Sequence, residues 1–139
     1  MILLANGCSH TSGGQMEYLA QDYCYSKAWP QHLANKLNFN CKNIAISGAS
    51  NKRILRTTIT TIGELFLQKV EPKDIFVVIL WRGSYRTEVY QRKFNDIDPW
   101  YGWLPLTAGN AANYKKYYPK AVYKYYQKLG YCNIRPKGR

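Results

Sequence analysis

Acid is scarce in this chain: eight Asp and Glu stand against twenty Lys and Arg, a formal net charge of +12 with histidine neutral. That balance excludes an acidic solvating tail and favours contact with phosphates or other polyanions, without identifying one. Histidine is scarcer still, so His10 and His32 are the only imidazoles that any acid–base mechanism could draw on. Cys8, Cys24, Cys41 and Cys132 are widely and irregularly spaced. Without close pairs they exclude a zinc knuckle or a Cys-x-x-Cys redox motif, and reduced thiols are expected. Cys8 and His10 alone fall short of a metal site, so neither metal nor cofactor is expected. No apolar run approaches the roughly 20 residues that span a bilayer, and the amino terminus lacks the basic-then-apolar order of a secretory signal. The expectation is a soluble, cytoplasmic protein with no membrane partner.

The 139 residues allow one domain with a single core, and 46% hydrophobic residues with 20% charged ones is a globular balance. Ile2 to Ala5 is an unbroken apolar run followed by the small-residue segment Asn6-Gly7-Cys8-Ser9, which suits a buried strand ending in a turn. After a polar loop, Trp29-Pro30 opens a helix with Leu33, Ala34 and Leu37 on one face. Asn43 to Ile46 is the second expected strand, and Ser47-Gly48-Ala49-Ser50-Asn51 repeats the small-residue turn. Ser50 or Asn51 can cap the next helix, in which Ile54, Leu55, Thr58, Ile59, Ile62, Leu65 and Phe66 recur at three- and four-residue intervals. Ile75 to Trp81, rich in β-branched and aromatic residues, is the third strand. The alternation β-α-β-α-β predicts a parallel sheet with right-handed crossovers, and ligands of such sheets gather beyond the carboxyl ends of the strands.

Beyond the third strand the pattern changes. Residues 82–113 read as a long loop carrying Pro99, Trp100, Tyr101, Trp103 and Pro105, a length that is usually functional when it lies inside a domain. Residues 114–130 read as a basic, Tyr-rich helix, with Tyr118, Val122, Tyr125, Tyr126 and Leu129 on one stripe and Lys116, Lys120, Lys124 and Lys128 on another. From Asn113 to Arg139 there are eight Lys or Arg, seven Tyr and no acid. This mixture can track a phosphate backbone while stacking bases, and it is also what an ordinary amphipathic helix with a solvated face looks like.

A serine at the carboxyl end of a buried strand is where an α/β hydrolase keeps its nucleophile. Gly7-Cys8-Ser9, Asn43 to Gly48, and Arg82-Gly83-Ser84-Tyr85 after the third strand resemble three sequence blocks of the SGNH or GDSL hydrolases. The similarity is closest to phage-encoded members, whose Gly-Cys-Ser-Phe-Thr, Trp-Pro, Gly-x-Ser-Asn and Trp with following Arg and Glu correspond to Gly7 to Thr11, Trp29-Pro30, Gly48 to Asn51, and Trp81 with Arg86 and Glu88. The resemblance implies a truncated flavodoxin-like three-layer α/β/α fold with a short parallel sheet, one incomplete domain over residues 1–139. It implies a serine esterase acting on a small ester or a carbohydrate O-acetyl group. Ser9 would be the nucleophile, with Ser9, Gly48 and Ser84 as oxyanion donors and Asn51, Trp81 and Arg86 along a substrate groove. The family's distal Asp-x-x-His block has no counterpart, which leaves a partner chain, His10 or water to supply the base. The alternative is a non-catalytic phage structural, accessory or polyanion-binding protein on the same scaffold, in the host cytoplasm or the virion. With no fourth strand expected beside the third, the open sheet edge implies a homo-oligomer or a partner chain.

Overall fold

The computed structural model describes residues 1–14, 20–83, 86–90 and 103–106, together with Lys124, which is helical. Two compact units divide the chain, Met1–Gly83 and Ser84–Arg139. No helix among the described residues is long and apolar enough to cross a membrane.

In the first unit, β1 (Ile2–Asn6) is the middle of a parallel sheet of order β2-β1-β3, flanked by β2 (Asn40–Asn43) and β3 (Ile75–Ile79). Its central place explains its composition. Leu3, Leu4 and Ala5 are fully buried because both faces of β1 are covered. One face packs Leu3 and Ala5 on Ala34 of α3 (Trp29–Leu37), with Leu33, Phe39, Cys41 and Val78 around them. A separate cluster joins Cys8, Ala49 and Ile54 of α4 (Asn51–Leu67), with Ile79 against it. Two further helices connect β1 to α3: the single turn α1 (Ser9–Ser12) and α2 (Gln21–Lys27). The chain is therefore a small α/β fold, as its alternation of elements predicts.

Helix ends follow local chemistry. The Ser50 hydroxyl accepts from Arg53 N at 3.2 Å and starts α4, while Pro30 in the first turn and Asn38 in the left-handed conformation (φ 55°) bound α3. Pro72–Asp74 forms a single 3-10 turn that leads into β3.

Three expectations are corrected. The second strand is not Asn43–Ile46 but Asn40–Asn43, in register Ile2 to Asn40 and Ala5 to Asn43. As an edge strand, β2 can be polar, whereas the apolar Ile44 to Ile46 leave the ladder after Ile44 N donates to Ala5 O at 2.9 Å. The polar loop before Trp29 holds α2, whose early Asp22 and late Lys27 suit the helix dipole. The stretch 82–113 is not wholly a loop: β4 (Thr87–Tyr90) and β5 (Trp103–Leu106) form an antiparallel pair in the second unit, Tyr90 opposite Trp103. The basic helix expected over 114–130 lies outside the described residues apart from Lys124.

Candidate functional site

The carboxyl ends of β1, β2 and β3 lie at one edge of the sheet, because all three strands run the same way. Three hydrogen-bonded links organise that edge. Asn6, the last residue of β1 and only 2% exposed, donates through its amide to Ile54 O at 2.9 Å and to the hydroxyls of Thr57 at 2.9 Å and Thr58 at 2.8 Å. Its Oδ1 accepts from Gly7 N at 2.8 Å, so one buried amide joins β1, the turn after it and α4. Asn43 at the end of β2 donates to Thr11 O at 2.8 Å, which ties α1 to the second strand. Asn51 at the start of α4 closes a two-point pair with the backbone of Arg82, its Nδ2 donating to Arg82 O at 2.7 Å and its Oδ1 accepting from Arg82 N at 2.8 Å.

Gly7 makes the sharp entry into α1 possible. A Cβ there would stand 2.3 Å from Thr11 Oγ1 and 3.2 Å from Leu80 O, so the turn packs against its own helix with no room for a side chain. Cys8 O then accepts from Thr11 N and Ser12 N, both at 2.9 Å, and Gly13 in the left-handed region (φ 76°) ends the turn with its N–H on Ser9 O.

Ser9 and His10 emerge on the outer side of this turn and line a cleft of about 340 Å³ with Gly13, Gly14, Lys27, Ala28 and Trp29. Gly13 and Gly14 contribute two residues without side chains to the lining, and Trp29 contributes an indole. Ser9 is half-buried, whereas His10 and Lys27 are exposed. The Lys27 ammonium lies 5.6 Å from the centre of the Tyr23 ring, which holds it by a cation–π contact. The Tyr25 hydroxyl donates to Ala45 O at 2.8 Å. Burial raises the Tyr25 pKa above its ordinary value of 10.0, and Asp22 adds to that rise while the Arg53 guanidinium opposes it.

The residues singled out in the sequence are partly drawn together. Cys8 and Ala49, the neighbours of Ser9 and Gly48, share one buried cluster, so the turns after β1 and β2 meet. Gly48 itself adopts φ 82° and does not line the cleft. Ser9 Oγ donates to Cys8 Sγ at 3.9 Å, and among the described residues neither imidazole hydrogen-bonds to it. Asn51 spends both ends of its amide on Arg82, and Trp81 is half exposed outside the cleft. Arg86 precedes β4 in the second unit, and Ser84 lies outside the described residues. No group of three or more His, Cys, Asp or Glu that could hold a metal occurs among the described residues.

Lys27 and Trp29 as cleft residues escaped the sequence reading because the segment before them passed for a loop. The signal was present: Cys24 and Ala28 are four residues apart, Asp22 stands early in the segment and Lys27 late.

A model of a protein family matches most of the chain. The profile of a family described as a family of unknown function (DUF6071) matches residues 13–126. No curated protein and no solved structure matches the chain. The resemblance to SGNH or GDSL hydrolases is thereby overturned, since nothing points to that family. Short Gly-x-Ser turns arise wherever a parallel sheet hands its chain to a helix, and the two here, Gly7-Cys8-Ser9 and Gly48-Ala49-Ser50, carry less weight than a match across most of the chain.

Proposed function

Since this chain belongs to that family of unknown function, its role has to be argued from its own chemistry, and we propose that it is a polyanion-binding protein whose cleft takes a phosphate group of a nucleic acid. The observation that carries this is the lining of the cleft. Among the described residues its lining holds Lys27, His10 and Ser9, with Gly13 and Gly14 beside them and no carboxylate. Lys27 supplies a fixed positive charge, Ser9 a hydroxyl donor, and Trp29 a flat face for a sugar or base. The net charge of +12 and the eight cations and seven tyrosines of residues 113–139 supply a long-range field and further stacking groups along a strand.

The test is the binding of a fluorescent single-stranded oligonucleotide measured across about 50 to 200 mM salt. Affinity is expected to fall linearly on a log–log plot, and Lys27→Glu is expected to weaken it and lower the salt slope by about one contact or more. Undetectable or salt-insensitive binding refutes the reading.

A second reading keeps Ser9 as the nucleophile of a small-ester hydrolase, with its own backbone amide as an oxyanion donor. It is favoured by one observation, the placement of Ser9 and His10 in the same cleft. Turnover of an aryl acetate that disappears in Ser9→Ala supports it. Absence of turnover in the wild-type protein removes it.

A further inference from the structure

The two edges of the parallel sheet carry different charge. The segments that leave the carboxyl ends of β1, β2 and β3, residues 6–14, 44–56 and 80–83, hold Lys52, Arg53, Arg56 and Arg82 and no Asp or Glu. The segments that reach the amino ends, residues 34–40 and 67–75, hold Lys36, Lys69 and Lys73 together with Glu71 and Asp74. Ile2 pairs with Asn40 and with Ile75, which puts those residues at the amino edge. Among the described segments, positive charge is thus largely offset at one edge and not at the other. The second of these is where ligands of parallel sheets gather.

Two of these cations are brought to one place. Arg82 follows β3, and the Asn51 amide grips its main chain from both sides, donating to Arg82 O at 2.7 Å and accepting from Arg82 N at 2.8 Å. Lys52 is the next residue after Asn51; it is exposed, and Arg82 is half-buried. Lys52 and Arg53 stand in the first turn of α4, where the helix dipole disfavours a cation, so their charge does not serve the helix. Arg53 is buried close enough to Tyr25 to oppose the rise in its pKa, which ties this place to α2, the helix that ends in Lys27. A second tie runs to the turn that carries Ser9. Leu80 O lies 3.2 Å from where a Cβ on Gly7 would stand, and Ser9 is two residues beyond Gly7 as Arg82 is beyond Leu80. At a reach of about 3.5 Å per residue, the main chains of Ser9 and Arg82 lie within about 22 Å of each other.

From these placements we infer that Lys52 and Arg82 are two further phosphate contacts, and that a single-stranded nucleic acid runs along the carboxyl edge of the sheet from the Lys27 cleft to the start of α4. The inference rests on the phosphate reading of the cleft and extends it from one group to a track. Arg82 suits a phosphate because a guanidinium offers two parallel N–H donors to its oxygens. The Asn51 pair fixes the main chain from which that side chain extends, which lowers the cost of ordering it on a ligand. Lys52 adds a point charge on a flexible stem, able to follow the strand without dictating its sequence. A track of this length is covered by a few nucleotides, at the short end of the roughly 4–16 that a single-strand groove engages.

The experiment measures binding of the full chain to a fluorescent single-stranded oligonucleotide of about 16 nucleotides by anisotropy, across about 50 to 200 mM salt. Each single-strand phosphate contact contributes about 0.7 to the log–log slope. Taken as counterion release that is spent at 1 M salt, its loss weakens binding about eightfold at 50 mM and about threefold at 200 mM. Lys52→Gln and Arg82→Gln are each expected to show this loss, the double variant a slope lower by about 1.4, and Arg82→Lys the wild-type slope. Lys36→Gln and Lys73→Gln remove the same charge at the amino edge and should leave the slope unchanged. Because Lys52 is exposed, Lys52→Gln reads the track even where Arg82→Gln fails to fold. Equal losses from substitutions at the two edges overturn the inference, since net charge alone would then be at work. A wild-type slope in folded Lys52→Gln or Arg82→Gln also overturns it. Where those variants are indifferent and Lys27→Glu still lowers the slope, the cleft reading stands and only the track falls; undetectable binding by the wild type removes both.

Discussion

Adding one methyl group at Gly7 is expected to destabilise the protein by about 2–3 kcal/mol, the upper part of the range for an overpacked core. A Cβ placed there meets Thr11 Oγ1 at 2.3 Å, Thr11 Cβ at 2.9 Å and Leu80 O at 3.2 Å. None of these can yield cheaply. Thr11 is fully buried and β-branched, so its side chain has few alternative rotamers, and its N–H is held on Cys8 O at 2.9 Å. Leu80 is anchored by its own N–H on Asn6 O at 3.0 Å. The hydroxyl of Thr11 is also buried without a hydrogen-bond partner, so replacing it loses only apolar contact. Thr11→Ala should therefore cost no more than about 1 kcal/mol, the loss of one methyl group partly offset by removal of an unsatisfied hydroxyl. In Gly7→Ala/Thr11→Ala the closest contact disappears while that to the Cβ of residue 11 remains. The double variant should then be less destabilised than the sum of the single ones by about 1.5 kcal/mol. Urea unfolding followed by far-ultraviolet circular dichroism measures all four proteins, with unchanged m-values showing that only stability has moved. Additivity within about 0.5 kcal/mol would refute the claim that the hydroxyl of residue 11 is what excludes a side chain at residue 7.

Asn6→Ala should cost about 3 kcal/mol in the same assay, because it removes three donated bonds and strands the buried Gly7 N–H; a loss below about 1 kcal/mol would show that the network adds little. Asn51→Ala breaks the two-point pair with Arg82 and should cost about 2 kcal/mol, with faster hydrogen exchange at Arg82 N–H than at the β1–β3 ladder. Tyr25 holds its proton more tightly folded than unfolded. Its contribution is therefore fully present below pH 10.0 and lost as pH rises through the higher folded value, since the unfolded state releases the proton first. Melting temperatures taken across that range should fall more steeply for the wild type than for Tyr25→Phe, and parallel curves would contradict the assignment.

Much of the first unit was legible in the residues. β1, β3, α3 and α4 follow from apolar runs and from three- and four-residue spacing, because central strands and amphipathic helices must put apolar side chains where the core is. The strand β2 was misplaced since an edge strand is held by backbone pairing to one neighbour, and backbone pairing leaves no signature in side-chain polarity. β5 was missed for a related reason: Pro105 argues against a strand, yet a two-stranded pair offers open edges on which the missing N–H costs little. At the candidate site, Ser9, Gly48 and Asn51 stood out as members of small-residue turns. What they touch did not, and Asn51 turned out to be committed to Arg82 rather than left open to a ligand.

Composition and order alone therefore determined the charge, the alternation of strands and helices, and the presence of tight turns after the strands, since these depend on residue type and on neighbours within a few positions. Tertiary structure decided which groups share a cleft, that Asn6 would bridge β1 to α4 across some fifty residues, and which stripe of α4 would be covered. Those outcomes depend on register, on the hand of the crossover and on the rotation of a helix about its axis. A shift of one residue in any of them changes every contact while leaving the amino-acid pattern the same.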